Sequence, residues 1–105
     1  MTAHDYTAFE EPFAHAGERL REDYLPAYRL SAGALARRVG LKDRTRIERL
    51  ARGRQPVTPD TALRLARVFG ATPEFWLNLQ AQHDLSVAAI ANREELARIE
   101  AIEFA

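Results

Sequence analysis

The chain has 105 residues, enough for one buried core and too few for two. Hydrophobic residues make up 47% and charged residues 29%, the balance of an ordinary folded domain, and the absence of cysteine excludes disulfides and thiolate metal sites. Fifteen Lys and Arg cancel fifteen Asp and Glu, so net charge alone predicts no affinity for polyanions.

That neutrality hides an asymmetry. Residues 1–14 hold acids and no Lys or Arg, residues 15–67 carry a net +7, and residues 68–105 carry a net −4. The densest basic stretch, 37–54, holds Arg37, Arg38, Lys42, Arg44, Arg46, Arg49, Arg52 and Arg54 against Asp43 and Glu48. A polyanion-binding centre with acidic ends fits this pattern, and so does a solvated helix face. Seven of the eight bases are Arg, whose planar fork suits phosphates and base edges. Residues 1–14 are expected to be loosely ordered. They lack the basic start and apolar stretch of a secretory leader, and no apolar run is long enough for a membrane span, so a cytoplasmic location is expected.

Strand periodicity is weak, whereas helix start and stop signals recur, which predicts an all-α fold of five main helices plus a C-terminal helix. A first helix over about 17–25 should end at Pro26, because the ring disfavours helical geometry just before it. Ser31 is a fitting cap for a second helix over about 32–39, with Leu35, Ala36 and Val39 inside and Gly40 as terminator. A third helix over about 44–52 has Asp43 as cap, Ile47 and Leu50 as its buried pair, and Gly53 as terminator. Thr58-Pro59 opens a fourth helix with Ala62, Leu65, Ala66 and Phe69 inside and Gly70 at its end. Thr72-Pro73 opens a fifth, whose Phe75, Trp76 and Leu79 should pack it on the first and fourth; beyond Asp84 its spacing is ambiguous. A last helix over about 93–104 carries Leu96, Ile99 and Ile102, which could close the core, pair across a dimer or meet a partner protein.

Two short helices joined by a glycine-containing turn, at 31–53, read as a helix-turn-helix. Ala36 is the small residue where the helices cross, and Ile47 and Leu50 anchor the second. At 100° per residue the face opposite that pair holds Thr45, Glu48, Arg49 and Arg52, with Arg44 at its edge and Arg46 and Ala51 on the flanks. Such a face suits the major groove: Arg bonds guanine O6 and N7, Thr meets a thymine methyl or a phosphate, and Glu accepts from cytosine N4. Arg37, Arg38, Lys42 and Arg54 would follow phosphates and set register. The same apolar spacing also fits the packing of any short helical hairpin.

Other chemistry has little support. His4, His15 and His83 are far apart in sequence, with no second ligand at helical spacing, so no metal site is expected. His83-Asp84 reads as a helix-end cap, and Ser31 as a cap rather than a nucleophile. Glu22-Asp23 and Glu94-Glu95 read as solvated faces. No glycine-rich phosphate loop is present, and neither a cofactor nor an enzymatic activity is expected.

The chain resembles the HigA-type antitoxins of the XRE (lambda-repressor-like) helix-turn-helix family. The likeness lies in His15-Ala-Gly-Glu18, Leu20-Arg-Glu22, Leu35-Ala-Arg37, Gly40, Arg44-Thr-Arg-Ile47 and Gly53-Arg54. Its specific segments are Thr58-Pro-Asp-Thr-Ala-Leu-Arg-Leu-Ala-Arg67, Phe69-Gly70 and Pro73-Glu-Phe-Trp-Leu-Asn-Leu-Gln80. It covers about residues 15–90, giving a loose extension at 1–14, a DNA-binding domain at 15–90 and a C-terminal helix at 91–105. Ala16 stands where the family usually has proline, and the turn after Gly40 is one residue longer than usual. The resemblance implies a cytoplasmic homodimer that binds a palindromic operator in double-stranded DNA upstream of its own operon. It also implies neutralisation of a RelE/HigB-like mRNA endonuclease toxin. A stand-alone or phage-type repressor without a toxin, or an adaptor that no longer reads DNA, shares the same residues.

Overall fold

The computed structural model describes residues 10–103. Among them every regular element is helical: α1 (Ala16–Arg19), a π turn (Leu20–Tyr24), α2 (Leu25–Tyr28), α3 (Ala32–Arg38), α4 (Thr45–Ala51), α5 (Pro59–Phe69), α6 (Pro73–Ala91) and α7 (Arg93–Ala97). No helix among the described residues is long and apolar enough to cross a membrane.

α1, the π turn and α2 run on as one rod, so Pro26 does not end the first helix. The helix instead widens ahead of it: the Leu25 amide bonds the Leu20 carbonyl, five residues back. The wider turn relieves the ring's pressure on the carbonyl four residues earlier, and Pro26 then sits in the first turn of α2, where its missing N–H costs nothing. The rod stops at Arg29, in the left-handed region at φ 53°.

The caps predicted at Ser31, Thr58 and Thr72 form. Ser31 Oγ accepts from the Ala34 amide at 3.0 Å, and the hydroxyls of Thr58 and Thr72 accept from the amides of Thr61 and Phe75. Pro59 and Pro73 occupy first-turn positions, and Gly70 closes α5 at φ 82°. The core gathers Leu20, Leu35, Ile47, Leu50, Leu65 and Trp76, each essentially sealed from solvent. Burying each aliphatic side chain contributes about 1.5–3 kcal/mol. Trp76 packs at 4.8 Å on Tyr24 of the π turn and at 6.2 Å on Phe69 of α5, which fastens α6 to the first helix and to α5 as its spacing predicted.

Two expectations fail at the C-terminal end. The helix whose spacing is ambiguous beyond Asp84 continues to Ala91: alanines at 81, 88, 89 and 91 favour helix, and Asp84 takes a bond from Gln80 one turn earlier, so the expected His83-Asp84 cap lies mid-helix and caps nothing. The expected helix over 93–104 forms only over Arg93–Ala97. Every residue from 91 to 103 is exposed, and an unsupported helix of this length is marginal. Its stripe therefore closes no core; Ile102 is 98% exposed. Residues 104–105 lie outside the described residues.

Of the extension expected to be loose, residues 1–9 also lie outside the described residues. Residues 10–14 form no helix, yet Phe13 is pinned to α6: its amide donates to Ser86 Oγ at 2.8 Å and its carbonyl accepts from His83 Nδ1 at 2.6 Å. His15 and His83, distant in sequence, meet here with ring centroids 4.9 Å apart. The Gly17 amide donates to His15 Nδ1. Desolvation, followed by the neighbouring His83, holds the His15 pKa below its ordinary value, against the opposing pull of Asp84 and Glu18.

Candidate nucleic-acid interface

α3 ends where Gly40 takes φ 79°, and residues 39–44 carry the chain round to α4. Asp43 starts α4 from one residue before its cap position: its Oδ1 accepts from the Thr45 amide at 2.6 Å. The side-chain hydrogen bond to Thr45, and after it that backbone bond, hold the Asp43 carboxyl below the usual carboxylate range, with Arg44 and Arg49 adding to the effect. Ile47, Leu50 and Ala51 turn inward, and Ile47 is the first buried side chain after Gly40.

The opposite side of α4 is open. Thr45, Arg49 and Arg52 are exposed, as is Arg44 at the edge. Arg44 Nε lies 2.7 Å from Glu48, so the half-buried Glu48 carboxylate is already engaged by a residue of its own face. Arg37 and Arg38 are exposed in the last turn of α3, Lys42 in the turn, and Arg54 beyond Gly53.

A groove of about 570 Å³ runs between α4 and the start of α5. Of the residues predicted to touch DNA, it brings Lys42, Thr45 and Arg49 together on one lining, joined by Arg46, Gln55 and Thr58. Arg37, Arg38, Arg44, Glu48, Arg52 and Arg54 lie outside that lining.

Sequence reasoning missed what holds this groove in shape. Asp60 Oδ2 accepts from Arg46 Nη2 at 2.6 Å and from Arg64 Nε at 3.0 Å. Arg64 Nη1 in turn donates to the Val39 carbonyl at 2.5 Å. These two arginines lower the Asp60 pKa. Asp60 reads in sequence only as a favourable acid in a first helical turn. Its link to Arg46, fourteen residues earlier, has no local signal.

Comparison with known proteins agrees with this arrangement. Residues 16–75 match the family described as "Helix-turn-helix domain". Virulence-associated protein I of Dichelobacter nodosus is 46% identical over 79 residues, 75% of this chain and 72% of that protein. Pseudomonas aeruginosa antitoxin HigA, solved with the higBA promoter, superposes with a TM-score of 0.81 at 32% identity, over 87% of this chain and 99% of that one. Antitoxin GraA, solved in complex with its operator, gives 0.81 at 37% identity, over 90% and 94%. The chain thus belongs to the helix-turn-helix domain family, within its HigA-type antitoxin group.

Proposed function

We propose that this chain is a cytoplasmic, homodimeric autorepressor and antitoxin that binds its own operator through α4 and neutralises a RelE/HigB-like mRNA endonuclease toxin. One observation carries the DNA-binding part: Thr45, Arg49 and Arg52 are exposed on a helix whose other side is sealed into the core. Relatives with the same fold are solved on promoter and operator DNA, which supports the reading.

Arg44, Thr45, Arg49 and Arg52 meet base edges in the major groove, with Glu48 as acceptor for a cytosine amine once Arg44 releases it. Arg37, Arg38, Lys42 and Arg54 take phosphates and fix register. A dimer suits this reading: one short helix reads only a few base pairs, and two half-sites one turn apart raise affinity and specificity together.

Gel shifts on the DNA upstream of the chain's own gene, at several salt concentrations, test the first part. Repression predicts log K falling against log salt with a slope of about −0.9 per phosphate neutralised. Absence of salt-dependent binding would favour an adaptor. Co-purification with the product of the adjacent open reading frame, and protection of mRNA from it, tests the second part. Operator binding without such a product favours a stand-alone repressor.

A further inference from the structure

We infer that Asp60 is a specificity-determining residue: it withholds Arg46 and Arg64 from DNA phosphates and, through them, fixes α4 against α5 and the end of α3. The inference rests on the operator-binding reading above. Both arginines converge on one carboxylate oxygen, at 2.6 and 3.0 Å. Arg46 comes from α4 itself and lines the same groove as Lys42, Thr45 and Arg49. Arg64 comes from α5 and reaches back to the Val39 carbonyl where α3 ends. One acid therefore joins three helices at the edge of the surface that meets DNA.

The chemistry sets a competition. A guanidinium binds a phosphate as readily as a carboxylate, in the same planar geometry. Phosphate contacts carry no sequence information, so arginines that are free to reach any backbone raise affinity for every duplex. Arg46 and Arg64 are each about one-third exposed, 35% and 36% by side chain, and Asp60 is 54% exposed. Exposed ion pairs contribute little to stability, so removing this carboxylate acts on recognition rather than on folding. Two effects follow. Freed cations strengthen binding to all DNA, and a less constrained α4 gains least on the operator, where its orientation matters most.

The test compares the full chain with Asp60→Asn on operator and scrambled duplexes over a salt series. Asp43→Asn serves as control, since it removes the same charge from the groove that Arg46 lines, keeps a side-chain acceptor for the Thr45 amide and frees no ion-paired arginine. Asp60→Asn is expected to bind scrambled DNA more tightly. Its log K against log salt should be steeper by about one to two, at about 0.9 per cation released. The operator-to-scrambled ratio should fall by roughly tenfold, the scale of one lost base-pair discrimination. Adding Arg46→Gln should take back part of the slope. Unchanged slope and ratio, a steeper slope at unchanged ratio, or equal effects from Asp43→Asn would overturn this role and leave the operator-binding reading standing. Absence of salt-dependent binding by the unaltered chain would overturn both.

Discussion

Gly17 in α1 lies directly against the backbone of Leu50 in α4: a Cβ on residue 17 would stand 1.6 Å from the Leu50 carbonyl oxygen. The first helix thus meets α4 backbone to backbone, and the side of α4 away from its exposed arginines has no room to shift. Glycine inside a helix ordinarily costs about 0.5–1 kcal/mol relative to alanine. Here the sign reverses, because backbone cannot move aside as a flexible side chain can. Gly17→Ala should destabilise the fold by about 3 kcal/mol or more, read as a lower urea midpoint at unchanged slope.

Gly33, in the first turn of α3, is the opposite case. The nearest atoms to its added Cβ are Arg44 Cδ at 3.7 Å and Arg37 Nη1 at 3.8 Å, ordinary contact distances with mobile side-chain ends. Its φ is not in the left-handed region. Gly33→Ala should therefore stabilise by about 0.5–1 kcal/mol, mostly by narrowing the unfolded ensemble. Calorimetry should show Tm higher by about 3–6 °C.

What was legible in the sequence was local. Ser31, Thr58-Pro59 and Thr72-Pro73 act on amides within three residues, and Gly40, Gly53 and Gly70 act on their own φ, so helix positions and the inner and outer faces of α4 could be read from short windows. What escaped was set across the chain. Pro26 reads as a stop only if the preceding helix stays α, and the π turn removes that condition. The Leu96, Ile99 and Ile102 stripe has helical spacing, but among the described residues it stays exposed, so spacing alone gave one short turn of helix. Asp60 and Arg46, and likewise Phe13 and Ser86, are brought together only by the packing of whole helices.

Gln80 belongs to that second group and carries its own prediction. Its buried Oε1 accepts from the Val57 amide at 2.9 Å, and its Nε2 donates to Asp84. It is thus the acceptor for the strand of chain that leaves α4 and enters α5. Replacing it with Leu keeps the volume and leaves a buried amide without its acceptor. Gln80→Leu should lose about 1–3 kcal/mol, and hydrogen exchange at the Val57 amide should accelerate along with the drop in urea midpoint.

His15 predicts how stability follows pH. Its folded pKa lies below the ordinary 6.5 that the unfolded chain keeps, with burial as the main cause. Between those two values the unfolded chain binds more protons, so stability rises with pH. The His15 contribution is complete above pH 6.5 and is lost as pH falls from 6.5 through the depressed folded value. His15→Asn keeps an acceptor for the Gly17 amide and removes the titration. Urea midpoints measured from about pH 8 to about pH 5 should fall less steeply in that variant than in the unaltered chain. Parallel curves would show that His15 binds protons equally in both states.

Arg49 and Arg54 should separate base reading from phosphate holding under the proposed function. Arg49 stands mid-helix on the open side of α4 and lines the groove beside Thr45, where a guanidinium can present two parallel donors to a guanine. Arg54 follows the glycine that ends α4, and its backbone amide is tied to the Arg49 carbonyl at 2.8 Å, which places it at the rim. Arg49→Ala should cost about 1–3 kcal/mol on the operator and relax preference at one base position. Arg54→Ala should weaken operator and scrambled DNA by the same factor and reduce the salt slope by about one. Binding assays on a set of single-base operator variants distinguish the two. If Arg49→Ala left every variant bound as before, the groove-facing role of that side of α4 would be wrong.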